Sequence, residues 1–374
     1  MTNTPAICAI LIILGVAQSA AAQNLVIRNA HALDGNGGTI ESGTIVVRNG
    51  RISAYDEDAT TADFAVLDAQ GMTVIPAFTD AHRQVMSGDA NQWMTEAAAY
   101  MQAYLEAGFT TLVTTDQSLA DILALRDRLE SRDIEGPRLL VTGPVPLTSD
   151  NGESVAEAEI RDRIRDLALE GLDGIAVTVR ATADGRERAA MSIARDEANE
   201  QGLLTIAHIT SIDDAAAAVE GGSGYLTSTP RTGRLNAATA RAIVEAGRDN
   251  AEYGLVMTST LGAISGDSPA PANARLLWDA SVIYGLGTNT TLPPRDALRH
   301  ELSALGGQFS NEEIFTILTK NSALAARRDD ALGTLDRGKF ADILVLGGDP
   351  RVDLEHLFDI RVVIKTGRIV VDNR

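Results

Sequence analysis

The residues best placed for chemistry are polar side chains that close short apolar runs. Thr73 to Gln84 opens on an apolar stretch, breaks at Pro76 and ends on Asp80 and His82. That is the pattern of a buried strand delivering an acid and an imidazole to one end. Side chains along a strand alternate with period two, so His82 and Gln84 face the same way. Two imidazoles at this spacing would grip one metal ion; an imidazole beside a neutral amide offers one good ligand only. His208 closes a similar run, Leu204-Thr205-Ile206-Ala207. Ala176, Thr178 and Arg180 share one face of another, and a guanidinium at its end suits a carboxylate ligand. Each also has a plainer reading: imidazoles that fill space where strands end, and a surface arginine just past one.

The elements that must position these groups follow from the pattern. Leu25-Val26-Ile27 and Gly43 to Val47 are β-rich, and Asn49-Gly50 signals a hairpin into Arg51-Ile52-Ser53-Ala54. From Val74 onward strands alternate with helices. Candidate strands are Val74–Asp80, Thr111–Thr115, Arg138–Gly143, Gly174–Val179, Leu203–His208, Gly224–Ser228, Gly254–Thr258 and Val282–Gly287. Between them Ala120–Leu129, Val155–Leu169 and Arg186–Asn199 have helical spacing. Eight strands alternating with helices predict an α/β fold, a (β/α)8 TIM-like barrel. The alternative is a doubly wound open sheet, but no Gly-x-Gly-x-x-Gly turn follows a strand.

The most specific stretch is near the end. Thr319-Lys320-Asn321-Ser322-Ala323 precedes Leu332-Gly333-Thr334-Leu335-Asp336-Arg337-Gly338-Lys339-Phe340-Ala341-Asp342-Ile343-Leu344-Val345-Leu346. This segment resembles the last helix and the return strand of amidohydrolases of the imidazolonepropionase-like and cyclic-imidase type. Pro76-Ala77-Phe78-Thr79-Asp80-Ala81-His82 is similar to the superfamily's first barrel strand, and Val362 to Val370 to its closing strands. The resemblance implies a barrel over residues 73–332, with a small β-sandwich built from 23–72 and 333–374. It also implies hydrolysis of C–N bonds other than ordinary peptide bonds, such as those of cyclic amides or N-acyl compounds.

Metal-dependent members hold their metals with two strand-1 histidines, a strand-4 lysine or glutamate, histidines from strands 5 and 6, and a strand-8 aspartate. Carried onto this chain, His82 and His208 are the residual metal positions. Gln84 stands at the second histidine, Ala176 at the lysine, Thr227 at the strand-6 histidine and Asn289 at the aspartate. A catalytic zinc usually needs three good protein ligands, and no anionic ligand remains in this set. Asn289 also lacks the proton affinity of a carboxylate, so no catalytic residue is assigned. The expectation is an amidohydrolase-family protein with metal-dependent catalysis lost and no cofactor. Gln84, Arg180, Thr227 and Asn289 would then bind a small amide or carboxylate ligand. Two alternatives stay open: an active hydrolase with a rebuilt or mononuclear zinc site on His82 and His208, and a non-catalytic partner of an active homologue or a homo-oligomer.

Composition bounds the rest. The chain has 374 residues, 45% of them hydrophobic, and a net charge of −19. Such an acidic surface disfavours nucleic acid, whose phosphates it repels. Ala6 to Ala17 is apolar but too short to span a bilayer, and small residues at Ala20 and Ala22 fit a secretory cleavage before Gln23. Residues 1–22 are therefore expected to be a signal peptide, with a periplasmic or secreted mature chain and no stable membrane anchor. The sole cysteine, Cys8, falls inside this leader, which excludes disulfides and thiolate chemistry from the mature chain.

Overall fold

The computed structural model describes residues 24–40, 43–55, 63–86, 88–114, 118–149, 152–264 and 266–374. The expected signal peptide lies outside these residues. Eight parallel strands form one sheet in strict sequence order: Phe78–Arg83, Phe109–Thr114, Arg138–Pro144, Gly174–Thr178, Leu204–His208, Tyr225–Thr227, Val256–Thr258 and Ile283–Gly285. The first and last are joined by backbone hydrogen bonds from Ala81 N to the Leu286 carbonyl and from Asn289 N to the His82 carbonyl, at 2.9 and 2.8 Å. The sheet thus curls into the barrel that the strand–helix alternation predicts.

Alternation along each strand builds two cores. Ile175 and Val177 point outward and join the large cluster under the helices, while Leu140, Leu204 and Ile206 fill the interior with Val113 and Ala326. The helices bury one stripe each. Glu157–Leu169 buries Ile160, Ile164 and Leu167, spaced three and four apart. The segment Ser322–Ala325 plugs the barrel's underside so closely that a Cβ on Gly285 would stand 2.8 Å from Ala325 Cβ. Glycine alone fits there.

The two chain ends meet in a sandwich. One sheet orders Arg51–Tyr55, Ile45–Arg48, Leu25–Arg28 and Ala65–Asp68. The other orders Arg368–Asp372, Ile360–Lys365, Ile343–Leu346, Thr73–Pro76, His31–Leu33 and Thr39–Ile40. Ile27, Ile45, Val74, Ile343 and Ile364 lie in the apolar layer they share. Asn49 and Gly50 both take positive φ, 50° and 75°, as a tight hairpin turn requires.

One expected strand is corrected. Val74 to Asp80 is not a single barrel strand. Thr73–Pro76 pairs antiparallel with Ile343–Leu346 in the sandwich, and the barrel begins at Phe78. Ala77 is the hinge between them, its N–H donating to the Asp342 carbonyl at 2.9 Å. Pro76 has no N–H to offer a continued ladder, so the chain changes sheets there.

Candidate functional site at the barrel mouth

The first barrel strand is irregular, its register with the second shifting at Phe78/Thr79 and again between Asp80 and Arg83. The irregularity lets a buried acid serve the site from beneath. Asp80 accepts hydrogen bonds from His82 N (3.1 Å), Thr288 N (3.1 Å) and Thr288 Oγ1 (2.6 Å). Arg83, equally buried, donates to Tyr104 Oη at 2.8 Å, to Thr288 Oγ1 at 3.0 Å and to the Leu292 carbonyl. Burial pushes the Asp80 carboxyl up, and the Arg83 guanidinium and the Thr288 bonds pull it back down. An acid and a base thus share Thr288 and bind the first strand to the segment after the last.

Above this base His82 and His208 meet edge to face, ring centroids 4.9 Å apart. Burial, and then His208, hold the His82 imidazole well below its ordinary pKa, against an opposing hydrogen bond from the Asn289 side chain. Burial alone lowers His208 to about 4. Both rings are therefore neutral near pH 7. His208 Nε2 is buried and has no hydrogen-bond partner.

The other expected site residues mostly converge here. Gln84 Nε2 donates to Asn289 Oδ1 at 3.4 Å, linking the first strand to the loop after the eighth. Asn289 adopts φ 41°, a left-handed conformation that asparagine tolerates better than most residues. Thr227 is fully buried, pairs in register with His208, and shares a 2.7 Å hydroxyl–hydroxyl bond with Thr258 of the next strand. Gly287 lets the chain pass close by, since a Cβ there would lie 2.9 Å from Thr258 Cβ and 3.0 Å from His82 Cβ. Ala176 is buried in the fourth strand and brings no polar atom. Arg180 lies exposed, two residues past that strand's end, and is not tied into the cluster.

The donor set does not fit a family-type metal centre. Its candidate ligands are two imidazoles, one of them hydrogen-bonded to Asn289, with amides and hydroxyls around them. Among the described residues no group of three or more His, Cys, Asp or Glu converges to hold an ion. The arrangement can instead accept and donate hydrogen bonds without net charge.

Sequence reasoning noted Asp80 at the strand's end without giving it a role, and passed over two further buried charges beside the mouth, Arg83 and Glu301. Glu301, on the helix Pro294–Gly306, accepts from Leu261 N at 2.8 Å and Gly262 N at 2.6 Å. Burial raises it to about 7, opposed by hydrogen bonds from Ser259, Gly262 and Leu261. Asp80 and Arg83 flank His82 in sequence, so strand position was a usable signal for them. Nothing local marks Glu301, whose partners lie 40 residues earlier.

Comparison with known proteins adds a family. Residues 73–370 match the model of the Amidohydrolase family. The chain is 31% identical over 216 residues to an N-acyl-D-aspartate deacylase of Alcaligenes xylosoxydans xylosoxydans, covering 52% of this chain and 38% of that protein. It therefore spans well under half the length of that relative. It is 24% identical over 398 residues to an imidazolonepropionase of Shouchella clausii, covering 90% of this chain and 87% of that one. Among solved structures, a putative prolidase from Bifidobacterium longum superposes with a TM-score of 0.77 at 24% identity, over 93% of this chain and 94% of the other. That likeness speaks for the fold.

Proposed function

This chain belongs to the amidohydrolase family, and from that premise we propose that its barrel mouth no longer performs metal-dependent hydrolysis and serves as an uncharged binding pocket for a small amide or carboxylate compound. The observation that carries the reading is the hydrogen-bonded pair Gln84–Asn289, set against His82 where a histidine and a carboxylate would complete a three-ligand site. A water molecule there gains no anionic base from Asn289 and no strong Lewis acid from two lone imidazoles. What the residues do supply is recognition. Gln84 and Asn289 offer complementary donors and acceptors, His208 Nε2 awaits a partner, and the Thr227–Thr258 hydroxyl pair stands on the next two strands in register with His208. Arg180 would meet a carboxylate only at the rim.

A second reading rests on that same orphan nitrogen. A buried imidazole nitrogen with no protein partner is also what a metal ligand looks like before the metal arrives. On this reading His82 and His208 form a rebuilt mononuclear site, and the chain remains a hydrolase. The apolar run and small residues before Gln23 support export to the periplasm or medium. Pairing with an active homologue belongs to the same proposal, as the role a non-hydrolytic copy would fill.

Elemental analysis after incubation with zinc and with manganese, beside hydrolysis assays on cyclic amides, N-acyl amino acids and dipeptides, separates the two. The binding reading expects sub-stoichiometric metal and no turnover. About one zinc per chain that disappears in His82→Ala, accompanied by hydrolysis, would overturn it.

A further inference from the structure

A cavity of about 230 Å³ lies far from the mouth, where the start of the third barrel strand meets the sandwich. Five cationic side chains line it against two carboxylates, Glu130 and Glu135, in a chain whose net charge is −19. Three of the cations already have acidic partners. Arg138 pairs with Asp342 at 3.2 Å, Arg368 with Glu135 at 2.5 Å, and Arg126 with Asp173 at 3.6 Å. Lys365 differs. Its ammonium is half-buried and donates to the Gly136 carbonyl at 2.5 Å, and among the described residues no carboxylate lies within ion-pair reach of it. An ammonium carries three donors, so two remain for a ligand. Exposed Arg132 at the rim is likewise without an acidic partner among the described residues.

We propose that this seam cavity is a binding site for small phosphate-bearing solutes, with inorganic phosphate the simplest, and that Lys365 is its central anion ligand. The guanidiniums of Arg138 and Arg368, their charges offset by Asp342 and Glu135, line the same cavity from the third barrel strand and from the strand Arg368–Asp372 and add N–H donors to it. A water molecule occupies about 30 Å³ of liquid, so the cavity takes a phosphate with a small organic group attached.

Binding is coupled to a proton. Burial and then Arg138 lower Lys365 to about 8, with Arg368 acting in the same direction and Asp342 and Glu135 opposing. A bound dianion favours the protonated amine, so near pH 8 phosphate binding is accompanied by net uptake of less than one proton. Above pH 8 affinity falls.

The test is calorimetric titration of the full-length mature protein with inorganic phosphate, at low ionic strength and pH 8, in two buffers of different ionisation enthalpy. The expected result is one site per chain in the millimolar range or tighter, with the stated proton uptake. Lys365→Met should weaken binding about tenfold or more, the usual loss for a charged hydrogen-bond donor. Lys365→Arg should keep most of the affinity and lose the uptake attributable to the lysine. If Lys365→Met fails to fold by circular dichroism, the uptake difference between parent and Lys365→Arg decides alone. No saturable phosphate binding, or binding whose affinity and proton uptake survive both substitutions, overturns the proposal.

Discussion

Asn289 donates its backbone N–H to the His82 carbonyl at 2.8 Å and also hydrogen-bonds the His82 ring through its side chain. The residue that the resemblance sets at the family's aspartate position is thus within reach of the first-strand histidine. Its left-handed φ is one that aspartate also tolerates. The backbone is compatible with a carboxylate there.

Restoring ligands should therefore restore metal affinity in a step. Asn289→Asp alone leaves His82, one carboxylate and an amide, and zinc binding stays weak. Gln84→His alone leaves no anion. The double variant reaches the three-ligand threshold and should gain zinc sharply, read by calorimetry and by metal content after dialysis. A folded double variant that binds no more zinc than its parent would mean that these positions do not converge.

Asp80 and Arg83 are a buried acid and base sharing Thr288. Asp80→Asn removes the carboxylate that accepts from Thr288 and His82 N and whose charge offsets the buried guanidinium, and should cost about 1–3 kcal/mol in urea unfolding. Thr288→Val should cost about 1–3 kcal/mol for the partners it strands. The two losses should not add, because they break one network.

Glu301 links stability to pH in the direction opposite to the histidines. Its carboxyl is raised from 4.5 to about 7, so the folded state binds more protons between those values. Its contribution is full below pH 4.5 and is lost as pH rises through 7, on the order of 3 kcal/mol in all. His208, lowered from 6.5 to about 4, destabilises the fold as pH falls through that interval. The stability difference between parent and Glu301→Gln should thus shrink from pH 4.5 to pH 8. A difference that does not change with pH would assign Glu301 a purely structural role.

Gly287→Ala should disturb the mouth more than its size suggests. The added Cβ meets Thr258 Cβ at 2.9 Å and His82 Cβ at 3.0 Å, both close to the backbone and unable to swing away. We expect about 1–3 kcal/mol of lost stability and shifted His82 and His208 ring signals in NMR spectra.

The barrel was legible because its strands are short apolar runs separated by helical stripes, and the helix predicted over Arg186–Asn199 is found at Arg186–Glu200. The sandwich was legible from Asn49-Gly50 and from the closing strands. The change of sheet at Ala77 was not, because Val74 and Phe78 are equally apolar and only their partners differ. At the site, period two placed Gln84 beside His82, and the structure sets it against Asn289. The same period also suggested Arg180, but the fourth strand ends at Thr178, and alternation has no meaning beyond it. Glu301 could not be found, since its role depends on two backbone amides in a distant loop.

The barrel's closing hydrogen bonds pass through the candidate site itself, at Ala81 and Asn289. The circle is therefore sewn shut at the place where a ligand would sit. A molecule that touches both His82 and Asn289 would act as a further stitch, slowing amide exchange at 81 and 289 ahead of the rest of the sheet. Occupancy could then be read from the seam, with no turnover to follow.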